Sequence, residues 1–168
     1  MKNIDITFDV HLMVYLKNEI VKRFLELKVD YITVHAEVFN DLKALEREID
    51  FIKSHDCKCG LSINPETSLD VLEHVLDKLD LVLIMGVNPG FSGQKFINST
   101  FDKIQLLHEK ILDNNYKTKI SVDGGVSFDN IKKLSRLGAE VFVSGSNIFG
   151  SDDYKTTIEK MRSLSQKI

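Results

Sequence analysis

Six times in succession this chain runs a short apolar or β-branched segment into a longer one whose apolar residues recur at helical spacing. Phe8 to Val14 predicts the first strand, and Asn18 to Leu27 a helix with Ile20, Phe24 and Leu27 on one face and Val21 and Leu25 beside them. Tyr31 to His35 is the second strand, followed by a helix capped by Asn40 with the stripe Leu42, Leu45, Ile49 and Ile52. Lys58 to Ile63 is the third; Asn64-Pro65 stops it, and Ser68 caps a helix through Leu69, Leu72 and Leu76. Leu81 to Met85 precedes a helix with Phe101, Ile104, Leu107 and Ile111 on one face. Lys119 to Asp123 ends at Gly124-Gly125; Ser127 then caps a helix with Ile131, Leu134 and Leu137, closed by Gly138. Glu140 to Ser144 is the sixth strand, and the last helix buries Ile158, Met161 and Leu164. Strict alternation with short links forces a parallel sheet with right-handed crossovers and helices outside, in one α/β domain over residues 1–168. Alternation leaves both a doubly wound sheet and a (β/α) barrel open, and polar residues clustered at the strand ends favour the barrel.

Composition narrows the function classes. A formal charge of −3 leaves no basic excess to neutralise phosphates, which argues against nucleic acid as the main partner. No apolar run approaches the roughly 20 residues that span a bilayer, and the N-terminus lacks a signal-peptide layout, so no membrane partner is expected. Cys57 and Cys59 flank Lys58, too close for a disulfide and poorly spaced for zinc. They read as strand residues in a reducing cytoplasm.

The most specific stretch is Leu81 to Phe96. A buried apolar strand breaks into Gly86, Asn88-Pro89-Gly90 and Gly93, which turn the chain and leave backbone N–H groups open to a ligand. Its Met85-Gly86-Val87-Asn88-Pro89-Gly90-Phe91-Ser92-Gly93-Gln94-Lys95-Phe96 resembles the signature of ribulose-phosphate 3-epimerases. Gly86 stands where serine is usual there, and Ser92 where glycine is usual. Asp9-Val10-His11-Leu12-Met13 is similar to the family's third-strand motif, Val34-His35-Ala36-Glu37 to its fourth-strand His-x-Glu, and Ser121-Val122-Asp123-Gly124-Gly125 to its seventh-strand Val-Asp-Gly-Gly. Val143-Ser144-Gly145-Ser146-Asn147-Ile148-Phe149 resembles the eighth-strand motif.

The resemblance implies a TIM-type barrel and epimerisation at C3 of a pentulose 5-phosphate through a metal-stabilised enediolate, interconverting D-ribulose and D-xylulose 5-phosphates. It implies a divalent-metal site at His11 and Asp123, zinc or iron by family and manganese or cobalt by donor type. Asp123 is also one of two acid/base groups, since inverting a carbon needs one on each face. Read alone, His11 is a core histidine and Asp123 a turn residue before Gly-Gly. His11 also touches substrate by resemblance, and phosphate binding falls to Gly90, Phe91, Ser92 and Gly93, to Gly124 and Gly125, and to Gly145 and Ser146. Met13 and Met85 line the pocket, and His35 and Glu37 support the metal ligands.

The resemblance begins at the family's third strand. The second-strand His-x-Asp-x-Met-Asp-Gly motif, with two further metal ligands and the opposite-face aspartate, has no counterpart here. Six units are expected to leave two open sheet edges and a weakly held metal, and to make these residues alone impaired or inactive. By barrel averages the part expected to be missing is about 50 residues, through a late start, a frameshift or a split gene. Open edges favour a homo-oligomer. Alternative readings are a hexulose (allulose) 6-phosphate 3-epimerase and a non-catalytic relic that binds sugar phosphate or a partner.

Overall fold

A computed structural model describes residues 6–15, 18–88, 90 and 93–166. Its strands are β1 (Asp9–Leu12), β2 (Tyr31–His35), β3 (Lys58–Ile63), β4 (Leu81–Met85), β5 (Lys119–Asp123) and β6 (Val141–Val143). Between and after them lie α1 (Asn18–Glu26), α2 (Leu42–Lys53), α3 (Ser99–Asp113), α4 (Ile131–Arg136), α5 (Ser146–Phe149) and α6 (Tyr154–Ser165). The strands form one sheet in sequence order, every pair parallel. Right-handed crossovers that always add the next strand on the same side carry every connecting helix to the same face, and the sheet curls away from them.

Period-two alternation sorts the strand residues between the two faces. Val10, Leu12, Ile32, Val34, Leu61, Ile63, Val82, Ile84, Ile120 and Val122 point outward into a core shared with helix residues such as Leu45, Ile49, Ile104, Leu107 and Leu134. The inner face is mixed: Leu81, Leu83 and Met85 cluster with Tyr31 and Val141, and Thr33, His35, Ser62 and Ser121 are buried beside them. Gly60 lies opposite Thr33, and a Cβ there would sit 2.3 Å from the Thr33 hydroxyl. The curl is deep. Four steps of about 4.8 Å would hold β1 and β5 roughly 19 Å apart in a flat sheet. Here His11 of β1 reaches to 3.4 Å from Asp123 of β5.

The barrel-type reading therefore holds, as an open six-stranded curl; β1 and β6 each pair on one side only among the described residues. Several local expectations are corrected. The first strand is shorter than Phe8 to Val14, with Met13, Val14 and Tyr15 leaving it exposed. In α1 the buried pair is Val21 and Leu25, while Leu27 lies beyond the helix and is exposed. Asp41, not Asn40, caps α2, its carboxylate accepting from the Ala44 N–H at 2.7 Å.

Ser68 does cap, but the segment after it is two 3-10 turns, Leu69–Leu72 and Leu76–Lys78, in place of an α-helix. Leu72, Val75, Leu76 and Leu79 are all buried, and the three-residue steps 72–75 and 76–79 match 3-10 geometry. Ser127 builds the turn before α4, and Asn130 is the capping position. Gly138 (φ 113°) follows α4, with Ala139 N–H bonded to Leu134 O and Gly138 N–H to Ser135 O, a Schellman ending. Finally, β6 is shorter than Glu140 to Ser144, α5 follows it, and in α6 Thr157 and Met161 are the buried residues, Ile158 and Leu164 only partly so.

Candidate functional site at the carboxyl ends of the strands

Each inward side chain at a strand's carboxyl end projects toward the axis of the curl. His11 (β1), His35 (β2) and Asp123 (β5) meet there with Glu37, which stands on the single 3-10 turn after β2 (Ala36–Val38). Their polar atoms form one line. His11 Nδ1 is 3.4 Å from Asp123 Oδ2, His11 Nε2 is 2.8 Å from His35 Nε2, and His35 Nδ1 is 3.2 Å from Glu37 Oε2. The two rings lie within 18° of parallel. The line is mostly shielded, with side-chain exposures of 20% for Asp123, 13% for His11 and 7% for His35.

Glu37 is the best-satisfied member. Its Oε1 accepts the Asn64 N–H at 2.7 Å and the Thr67 hydroxyl, while Oε2 faces His35. Burial pushes its carboxyl up, but the hydrogen bonds from His35, Thr67 and Asn64 outweigh that and bring it down to about 2. The loop supplying those donors is itself fixed: Lys103 Nζ donates to the carbonyls of Asn64, Pro65 and Thr67 at 3.0, 2.6 and 2.6 Å. Burial lowers the Lys103 pKa, with Glu37 opposing.

Beside Asp123 opens a cavity of about 310 Å³. Met13, Met85, Gly90, Gly93, Asp123, Gly124, Gly125, Gly145 and Ser146 all line it, so most of the residues singled out in the sequence share one wall. Phe91 and Ser92 lie outside the described residues. His35 and Glu37 line a neighbouring hollow that also includes Met13. Gly124 and Gly125 adopt φ of 98° and 65°, and a Cβ on them would strike Val87 and Phe96 at 2.4 and 2.8 Å. That turn therefore takes glycine on both counts. Gly86 is equally constrained, since a Cβ there would lie 2.3 Å from the Gly124 carbonyl; the serine usual at this position has no room.

Sequence reasoning gave Asp9 no role, although its place two residues before His11 puts it on the same inner face. Burial raises its pKa, the Asp123 charge adds to that, and His11 and the Thr33 hydroxyl oppose it. It sits roughly 6–7 Å deeper than His11 along the strand, away from the cavity mouth. Asn88, Gln94 and Ser144 also line the cavity; only their positions near the glycines could have signalled them.

Two side chains of this site are donors of the kind a divalent cation takes. His11 Nδ1 is buried without a hydrogen-bond partner, facing a carboxylate oxygen at a distance that a shared cation would bridge. Imidazole nitrogen plus carboxylate oxygen suits a first-row divalent ion. Among the described residues no group of three or more His, Cys, Asp or Glu side chains is placed to hold such an ion; His11 and Asp123 are the two donors that would meet it.

Comparison with known proteins gives these features a context. Residues 1–149 match the model of the ribulose-phosphate 3 epimerase family. The ribulose-phosphate 3-epimerase of Buchnera aphidicola subsp. Schizaphis graminum is 43% identical over 160 residues, which cover 95% of this chain and 69% of that protein. The ribulose-phosphate 3-epimerase of Escherichia coli strain K12 is 42% identical over 170 residues, covering 100% and 74%. Among solved structures, KGPDC from Streptococcus mutans aligns at TM-score 0.68 and 14% identity over 96% of this chain and 72% of that one. Orotidine 5'-monophosphate decarboxylase from Sulfolobus solfataricus aligns at 0.65 and 12% over 95% and 71%. At such identities these two speak for the fold alone. No helix among the described residues is long and apolar enough to cross a membrane. The family match over most of the chain and the two relatives above 40% identity agree: this chain belongs to the ribulose-phosphate 3 epimerase family.

Proposed function

We propose that this chain carries a pentulose-phosphate 3-epimerase site, acting between D-ribulose 5-phosphate and D-xylulose 5-phosphate. The observation that supports it most is the meeting of His11 and Asp123 from non-neighbouring strands, 3.4 Å apart beside a glycine-lined cavity. In this reading the glycines at 90, 93, 124, 125 and 145, with Ser146, receive the phosphate through backbone N–H groups. Phe91 and Ser92 share that role by their motif, and Met13 and Met85 pack against the carbon chain. Asp123 moves the proton at C3 on one face of the substrate. His11 and Asp123 are the residues that would hold a divalent cation, zinc or iron by family, whose chemistry when bound is to polarise the substrate oxygens. A two-donor protein set holds it weakly. His35 and Glu37 orient His11.

The described residues place no second carboxylate at the cavity opposite Asp123. For a site with Asp123 as its one carboxylate among the described lining residues, the expected behaviour is proton exchange that outruns inversion. The test is incorporation of solvent deuterium at C3 of D-ribulose 5-phosphate with Zn²⁺ or Fe²⁺ supplied, read by NMR. Exchange without matching epimerisation, reduced at least about a hundredfold in Asp123→Asn, is the expected result. Exchange unaffected by that substitution, or none at all, contradicts it.

A second reading, binding of the sugar phosphate without turnover, is favoured by the two-donor set. Calorimetric binding of D-ribulose 5-phosphate with no exchange at C3 selects it. In either case we place the chain in the cytoplasm as a homo-oligomer. Its exposed apolar side chains beside the sheet edges (Met13, Tyr15, Val143 and Phe149) are the surface to bury, and sedimentation velocity reads the result.

A further inference from the structure

Three features of Glu37 determine where protons sit in the line running to Asp123. Its Oε1 already accepts two donors, an N–H from Asn64 and the hydroxyl of Thr67. Its Oε2 meets His35 Nδ1. The hydrogen bonds converging on it keep it ionised, with its carboxyl brought down to about 2. A carboxylate only accepts, so the proton in the Glu37–His35 contact belongs to His35 Nδ1. A neutral imidazole carries one proton, which leaves His35 Nε2 a lone pair. The 2.8 Å contact between the two Nε2 atoms then takes its proton from His11. With its proton on Nε2, His11 turns an unprotonated Nδ1 toward Asp123, and that is the buried nitrogen without a partner.

We propose that Glu37 is a positioning residue that sets the proton order of the His35–His11 pair and thereby keeps His11 Nδ1 free as a lone-pair donor beside Asp123. The inference rests on the reading of His11 as a cation ligand only for its consequence; the proton order itself follows from the Glu37–His35 and His35–His11 hydrogen bonds at 3.2 and 2.8 Å, both shorter than the 3.4 Å His11 Nδ1–Asp123 Oδ2 contact that favours the opposite order. Without an ionised Glu37 the same contacts support the opposite order. His35 would carry its proton on Nε2 and donate to His11 Nε2, placing the His11 proton on Nδ1, where a cation could not bind.

Glu37→Gln separates the two orders at constant shape. Asn64 N–H still needs an acceptor, so the new amide oxygen takes the Oε1 position and the amide NH₂ faces His35 Nδ1. That side chain now donates where the carboxylate accepted, and the order should reverse through both rings. The experiment is a long-range ¹H–¹⁵N correlation spectrum of the histidine rings in the cation-free full chain at about pH 8, above the usual imidazole range, for both proteins. The amide spectra report whether the fold is retained. Expected are His35 Nδ1–H and His11 Nε2–H in the native chain, and His11 Nδ1–H in the variant, with Mn²⁺ affinity lower by about 10- to 100-fold.

A native chain with the proton on His11 Nδ1 overturns the proposal whether or not the variant folds, and so does a folded variant with unchanged tautomers. If the tautomers reverse as expected but neither protein binds Mn²⁺, the positioning role stands and the cation site of the proposed function falls.

Discussion

The two faces of the curled sheet carry alternate residues of the same six strands and have opposite characters. Outward residues are apolar without exception from Val10 to Val122, and they lie in one continuous core with the helices. Inward residues include Asp9, His11, Thr33, His35, Ser62, Ser121 and Asp123, with only a small apolar cluster around Leu81, Leu83 and Met85. The outer face supplies stability by removing apolar area from water. The inner face holds polar groups in fixed places at some cost. The Ser62 and Ser121 hydroxyls are buried with no hydrogen-bond partner in the protein, as is His11 Nδ1, and burying such groups costs stability. Fold and chemistry are thus separated by one residue of register.

The largest break in this comparison comes from truncating matched buried positions. Ile84→Ala, outward on β4 and 0% exposed, should lower unfolding stability by about 2–5 kcal/mol in urea titrations. Ser121→Ala, equally buried but inward, should change it by less than about 0.5 kcal/mol or raise it, because an unpaired hydroxyl is removed. Equal losses would mean that the inner face is packed as tightly as the outer. Next in size is Gly60→Ala, whose new methyl meets the Thr33 hydroxyl; a loss of about 1–3 kcal/mol is expected. Part of it should be recovered in the Thr33→Ala background, a coupling that a double-mutant cycle measures.

A smaller effect is electrostatic. The carboxyl of Glu37 is depressed in the folded chain to about 2 from 4.5, so its contribution is complete above the unfolded value and is lost as pH falls toward the folded one. The stability difference between the native chain and Glu37→Gln should shrink by about 1–2 kcal/mol from pH 4.5 to pH 2, given the screening of a side chain 27% exposed. A difference independent of pH would remove the Glu37 hydrogen bonds from the account. Smallest is the cap of α2. Asp41→Ala should cost about 1 kcal/mol and Asn40→Ala close to none, which melting temperatures resolve.

Much of this separation was legible in the chain. Alternation in Tyr31-Ile32-Thr33-Val34-His35 and Lys119-Ile120-Ser121-Val122-Asp123 marks both faces, and strand–helix alternation dictates parallel pairing. What the pattern lacks is curvature. Nothing in the spacing of His11 and Asp123, 112 residues apart in the chain (123 − 11), states that β1 and β5 face each other across the axis; that depends on the twist and curl of the whole sheet. The cap of α2 failed for a local reason, because Asn40 and Asp41 are both good capping types and the backbone decides between them. The segment after Ser68 failed because Leu69, Leu72 and Leu76 fit an α-helical stripe, whereas burial of the neighbours Val75 and Leu76 together requires tighter turns. Glu37 could be marked as a supporting residue from its motif, but its pairing with Asn64 and Thr67 comes from the loop that Lys103 fixes.

We propose that the curl makes one cation site of His11 and Asp123. Mn²⁺ binding, measured by calorimetry on the native chain, His11→Ala, Asp123→Ala and the double variant, tests it most directly. One shared site predicts that each single substitution lowers affinity by at least about tenfold, and that the double variant is no worse than either, a strong non-additivity. Losses that simply add, or Mn²⁺ affinity untouched by either substitution, would show that the two side chains meet without acting together.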